Sequence, residues 1–121
     1  MTKTDELLLE RLFAEVEKNF DNVVEWRRHL HANPELSFQE YETSAFIDKT
    51  LTTLGFNVQR NVGGTGLVAL LEGGHTGKTI AFQADFDALP IQELKKVSYA
   101  SKKLAFPIHV GMMGIQRHYW A

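Results

Sequence analysis

Apolar residues recur along the first part of the chain at alternating three- and four-residue intervals. Leu9, Phe13, Val16, Phe20, Val23 and Leu30 follow this rhythm, and Arg27 breaks the seam. The period matches a helical turn and predicts an amphipathic helix, single or in two parts, from about residue 5 to about residue 31. Asn33-Pro34 predicts its end, because the residue before a proline avoids the helical region. Ser37 and Glu40 have the spacing of a capping box and predict the start of a second helix, with Tyr41, Ala45, Ile47, Leu51 and Leu54 on its buried face. Gly55 fits the left-handed position just past that helix, and Phe56 the apolar contact that follows it.

From Phe56 the period shortens. Residues 56–61, 67–72 and 79–85 read as strands, with Gly63-Gly64 and the Gly73 to Gly77 stretch as turns. The order helix, helix, strand, strand, strand predicts an α/β layer arrangement that has only begun. Residues 104–121 fit neither period and carry no capping signal.

Composition narrows the classes. The 121 residues make one domain or part of one, and 44% hydrophobic content is ordinary for a globular chain. Thirteen basic residues against 15 acidic ones, a net charge of −2, argue against a nucleic-acid partner. Without cysteine there is neither a disulfide framework nor a thiolate metal site. A polar, acidic start and the lack of a long apolar run predict a cytoplasmic chain with no membrane partner.

The candidate chemistry lies in Gln83-Ala84-Asp85-Phe86-Asp87-Ala88-Leu89-Pro90-Ile91. An apolar run ends there in two carboxylates one residue apart, which share a side if the backbone stays extended. Two acids at the end of a strand are a common way to hold a metal or a metal-bound histidine. Other signals are weaker. Gly64-Thr65-Gly66-Leu67-Val68-Ala69 matches a dinucleotide fingerprint, but the glycines and β-branched residues after it oppose the required helix, so a two-glycine turn is the better reading. Gly77-Lys78-Thr79 lacks the upstream glycine of a P-loop and reads as a hairpin turn. His29 and His31 are two apart on a helix and face different directions, so they read as partners of helix-end carbonyls or carboxylates. Arg27-Arg28 reads as a solvated or ion-paired face.

Taken together, the segments resemble a known family. Residues 26–43, Trp-Arg-Arg-His-Leu-His-Ala-Asn-Pro-Glu-Leu-Ser-Phe-Gln-Glu-Tyr-Glu-Thr, are similar to the opening signature of the metal-dependent amidohydrolases that include hippurate hydrolase, indole-acetyl-amino-acid hydrolase and N-acetyl-diaminopimelate deacetylase. Leu54-Gly55-Phe56, residues 64–69, residues 84–93 and Tyr99-Ala100-Ser101 follow in the same order and at the same spacing. The resemblance implies the first part of a zinc-peptidase-like catalytic domain over residues 1–103. It also implies hydrolysis of N-acyl amino acids by a site holding zinc or manganese, and dimers formed through a domain this chain lacks. Asp85 and Asp87 match positions beside that metal site, and the resemblance gives Asp87 the task of orienting a metal-binding histidine. The family's Cys-Gly-His-Asp-Gly-His ligand motif is absent, so no metal ligand is assigned to this chain and it is expected to bind no metal and to be inactive by itself. The other reading, a small non-catalytic α/β module for a nucleotide or a protein partner, stays open at this point.

The tail offers a reason for the missing motif. Codons for residues 109–121, read one base out of register, permit Cys-Gly-His, force Asp-Gly from Met112-Met113-Gly114, and then permit His. The expectation is an N-terminal fragment whose residues 104–121 are frameshifted, with Lys102-Lys103 as a slip site.

Overall fold

The computed structural model describes residues 2–90, Leu94 and residues 96–101, and consists of two helices followed by a two-stranded sheet. Residues 104–121, the tail expected to be frameshifted, lie outside the described residues.

Helix α1 runs unbroken from Lys3 to Ala32. It begins with a capping box that the periodicity did not single out. The Asp5 amide donates to Thr2 Oγ1 at 3.3 Å, and the Thr2 amide donates to Asp5 Oδ2 at 2.7 Å. Those bonds, the Thr2 backbone N–H foremost, hold the Asp5 carboxyl below its usual range. At the other end Asn33 closes the helix. Its amide donates to the Leu30 carbonyl at 3.2 Å and its side-chain nitrogen to the His29 carbonyl at 2.8 Å. Pro34 behind it is fully buried.

Helix α2 spans Tyr41–Thr53 and ends as expected. Gly55 sits at φ +91°, its amide donates to the Thr52 carbonyl at 3.0 Å, and the Phe56 amide reaches back to the Leu51 carbonyl at 3.0 Å. This pair of bonds is a Schellman closure. The start differs from the expectation. The N-cap is Glu40 and makes no side-chain capping bond, while Ser37 lies in the preceding turn with its hydroxyl turned elsewhere. The buried face differs too: Thr43 and Asp48 are buried, whereas Tyr41, Ala45 and Leu54 are exposed. The helix turns its polar residues toward the neighbouring hairpin, where Asp48 pairs with Arg60 at 2.5 Å.

Strands β1 (Asn57–Val62) and β2 (Gly66–Leu70) pair antiparallel, with Val58 opposite Ala69 and Val62 opposite Gly66. The register shifts between Gln59 and Val62, at the point where Asn61 takes a positive φ of 58°. Gly66 is fixed by close approach: a Cβ there would sit 2.4 Å from the Val62 carbonyl oxygen.

The third expected strand, residues 79–85, forms no ladder among the described residues. A β conformation is held by a neighbouring strand, and this run has none beside it among the described residues. The chain is pinned only beyond it, where Ala88 bridges Leu36 in parallel and its amide donates to the Glu35 carbonyl at 2.7 Å.

Candidate functional site

Residues far apart in sequence converge on the connection between α1 and α2. Glu35 organises it. Its backbone carbonyl takes the Ala88 amide, while its carboxylate accepts the amides of Glu42 at 3.3 Å and Thr43 at 2.7 Å. A carboxylate at a helix N-terminus satisfies orphan N–H donors and complements the helix dipole. Glu35 therefore does the capping expected of Ser37.

The Ser37 hydroxyl donates instead to Asp87 Oδ2. Glu40, only 6% exposed, accepts from Thr65 Oγ1 at 2.5 Å and so ties the helix start to the hairpin turn. These contacts frame a cleft of about 290 Å³, lined by Ser37, Phe38 and Glu40, by the hairpin turn, and by residues 84–87. Both expected acids are in it. Asp87 is half-buried and anchored by Ser37, and Asp85 is exposed at the rim. Phe38 stands on the same cleft with 79% exposure and a left-handed φ of 64°. Bulky residues rarely adopt that conformation.

A second convergence lies at the end of α1. His31 is buried and meets Tyr99 edge-on, with ring centroids 5.5 Å apart, while the Arg28 guanidinium lies 5.1 Å from the centre of the same ring. The His29 ring stacks on Phe46 at 4.2 Å. Arg27 and Arg28 are both exposed, as expected of a solvated face, and Arg28 adds the contact with the Tyr99 ring, while His29 packs by stacking on Phe46.

The glycine-rich run forms the hairpin turn at residues 63–65 and enters β2 at Gly66, so a strand follows it rather than a helix. This removes the basis for a dinucleotide fold. Glu35, Glu40 and Thr65 were not singled out from sequence as site residues. The one signal for Glu35 was its place directly after Pro34, where the chain has left α1 and has not yet entered α2.

Sequence comparison agrees with this architecture. The chain is 44% identical over 102 residues to an N-acyl-L-amino acid amidohydrolase of Geobacillus stearothermophilus, covering 84% of this chain and 26% of that protein. It is 46% identical over 87 residues to the N-acetyl-L-cysteine deacetylase of Bacillus subtilis, covering 72% and 20%. Its fold superimposes on the Bacillus subtilis YXEP protein, described as a dinuclear metal binding peptidase of the M20 family, with a TM-score of 0.69 and 37% identity over 77% of this chain and 26% of that one. The chain is thus similar, in sequence and in fold, to part of these hydrolases. No family model matches it. It spans between a fifth and about a quarter of the length of the curated relatives it matches.

Among the described residues no group of three or more His, Asp or Glu is placed to hold a metal ion. Asp85 and Asp87 alone fall short of the three or four converging ligands that zinc takes. The described residues thus do not fit a metal pair by themselves. No helix among them is long and apolar enough to cross a membrane.

Proposed function

We propose that residues 1–103 are the first part of the catalytic domain of an amidohydrolase that cleaves N-acyl amino acids, and that residues 104–121 lie outside that domain as out-of-frame sequence. The observation that carries the reading is the hydrogen bond from Ser37 to Asp87. It joins the opening signature to the Asp-Phe-Asp segment across 50 residues of chain, at a cleft both segments line.

In this reading Asp87 is a positioning residue. Held by Ser37, it accepts the ring N–H of a histidine ligand that the rest of the catalytic domain supplies, which fixes the tautomer and direction of that imidazole. Asp85 at the rim adds negative charge beside the same ligand. The complete site takes a divalent metal, zinc or manganese, and the complete enzyme is cytoplasmic and dimeric. Hydrolysis is not assigned to this chain alone, because its described residues do not hold the metal.

The test is to restore one base near codons 102–104, express the product with its downstream sequence, and assay N-acetyl and N-benzoyl amino acids with zinc, manganese or cobalt. Hydrolysis is the expected result. A full-length, soluble, metal-loaded product that cleaves no N-acyl amino acid overturns the assignment.

A further inference from the structure

Many large apolar residues of the described chain are exposed. Leu9, Phe13, Val16, Phe20 and Val23 form one stripe along α1, and Ile80 and Phe82 lie in the run 79–83. Phe38 differs from all of these in its backbone. It stands third in the turn Leu36-Ser37-Phe38-Gln39, which the Gln39 amide closes by donating to the Leu36 carbonyl at 2.9 Å. Its φ of 64° is left-handed, and at this turn position such a φ favours glycine or asparagine. A phenylalanine there strains the backbone. Its ring returns nothing locally: it is 79% exposed and joins no aromatic pair among the described residues. The strain persists because the turn is pinned on both sides. Leu36 bridges Ala88, the Ser37 hydroxyl donates to Asp87, and Glu40 accepts from Thr65. A strained residue held this firmly, with its side chain presented at a cleft, points to a role in contact with a ligand.

We infer that Phe38 is a specificity residue of the cleft, which receives the acyl end of an N-acyl amino acid and favours an aromatic acyl group. The lining selects this end of the substrate. Phe38, Val62 and Phe86 are apolar, Glu40, Asp85 and Asp87 are acidic, and none of the described residues lining the cleft is basic. An N-acyl amino acid has one charged end, the carboxylate, and one uncharged end, the acyl group. Three acids without a cation disfavour the carboxylate, and the apolar lining favours the acyl group. Phe86 lines the same cleft, so a flat acyl ring meets two aromatic side chains with which offset or edge-on contact is favourable. An acetyl methyl group offers far less surface for that contact.

The inference rests on the reading of this chain as part of an N-acyl amino acid amidohydrolase, and its first test needs no hydrolysis. Saturation-transfer NMR on the full chain compares two uncharged probes, N-benzoylglycinamide and N-acetylglycinamide. The expected result is binding of the benzoyl probe in preference to the acetyl one, weakened about fivefold or more by Phe38→Gly and retained by Phe38→Tyr. Glycine suits the left-handed turn, so Phe38→Gly should keep the Thr43 amide protected from exchange. Phe13→Ala, which removes an equally accessible ring from α1, should leave the binding as it was. No binding of the benzoyl probe, binding indifferent to Phe38→Gly, an equal loss with Phe13→Ala, or loss of Thr43 protection in Phe38→Gly overturns the inference. The second test uses the restored-frame enzyme and reads the ratio of kcat/KM for N-benzoyl over N-acetyl amino acids, which Phe38→Gly should lower about tenfold. An active enzyme whose ratio ignores Phe38→Gly sinks this inference alone. An inactive enzyme beside Phe38-dependent binding of the benzoyl probe sinks the activity reading alone.

Discussion

The Glu35 carboxylate accepts the Thr43 amide at 2.7 Å and caps a helix that begins six residues after it. The N-cap residue itself, Glu40, is occupied with Thr65. Glu35→Ala therefore removes the α2 cap and is expected to cost about 1 kcal/mol, the usual worth of an N-cap side chain. Amide exchange at Glu42 and Thr43 should rise first, ahead of the rest of α2. Unchanged protection at both amides would show that Glu35 is not the cap.

Ser37→Ala separates two accounts of the same residue. Were Ser37 the cap of α2, its loss would fray the helix. Because its hydroxyl bonds Asp87, the expected effect lies at the other end of that bond. The Ala88 amide, held by the Glu35 carbonyl, should exchange faster while α2 keeps its protection. The stability change should be about 1–2 kcal/mol, since a hydrogen bond to a charged group is worth more than a neutral one but this one is open to water.

Asp48 and Arg60 make a one-sided ion pair. Asp48 is 6% exposed, and its Oδ1 has no partner among the described residues, whereas the Arg60 side chain is largely in water. Solvent screening discounts the attraction, but removing the arginine leaves a buried carboxylate uncompensated. Arg60→Met is expected to cost about 1–3 kcal/mol, the penalty for an unsatisfied buried polar group. The double substitution Asp48→Asn with Arg60→Met should recover part of it. Denaturant melts of the three variants decide the point.

What could be read from sequence was whatever local chemistry settles. The α1 period, the stop at Asn33-Pro34, the Gly55 closure and the β1–β2 turn depend on residues within a few positions of one another, and all are present. The α2 start was misread because Ser37-x-x-Glu40 is also what a chain shows when both side chains serve distant partners, Asp87 and Thr65. The third strand was misread for a related reason. Its apolar run was visible, but a strand exists through its neighbours, and none flanks residues 79–85 among those described. Within the site, Asp85 and Asp87 stood out as paired acids, while Glu35 acts through its position and has no motif of its own.

Metal affinity follows from ligand supply. Because Asp85 and Asp87 lack a third converging donor among the described residues, the purified chain is expected to bind zinc or manganese no better than the high micromolar range. Isothermal titration revealing a stoichiometric submicromolar site would contradict this. Chain from the restored frame, carrying the Cys and His of the hidden motif, should bind far more tightly, since a thiolate and imidazoles then join the carboxylates.

Without a partner, the exposed apolar faces govern the behaviour of the chain in solution. Burial of apolar surface is the main force that opposes chain entropy, and here the α1 stripe and the residues Ile80 and Phe82 contribute almost none of it. The secondary structure of α1 and α2 can persist through capping and backbone bonds, but a cooperative transition needs a shared core. The chain alone is therefore expected to show helical circular dichroism, broad non-cooperative melting, and self-association that rises with concentration without settling on one stoichiometry. The α1 stripe and the 79–83 run should contribute separately. Phe82→Asp should narrow the sedimentation profile toward monomer, and adding Phe13→Asp should narrow it further. A single sharp unfolding transition with a monomeric profile in the unmodified chain would mean that its core lies elsewhere than these faces indicate.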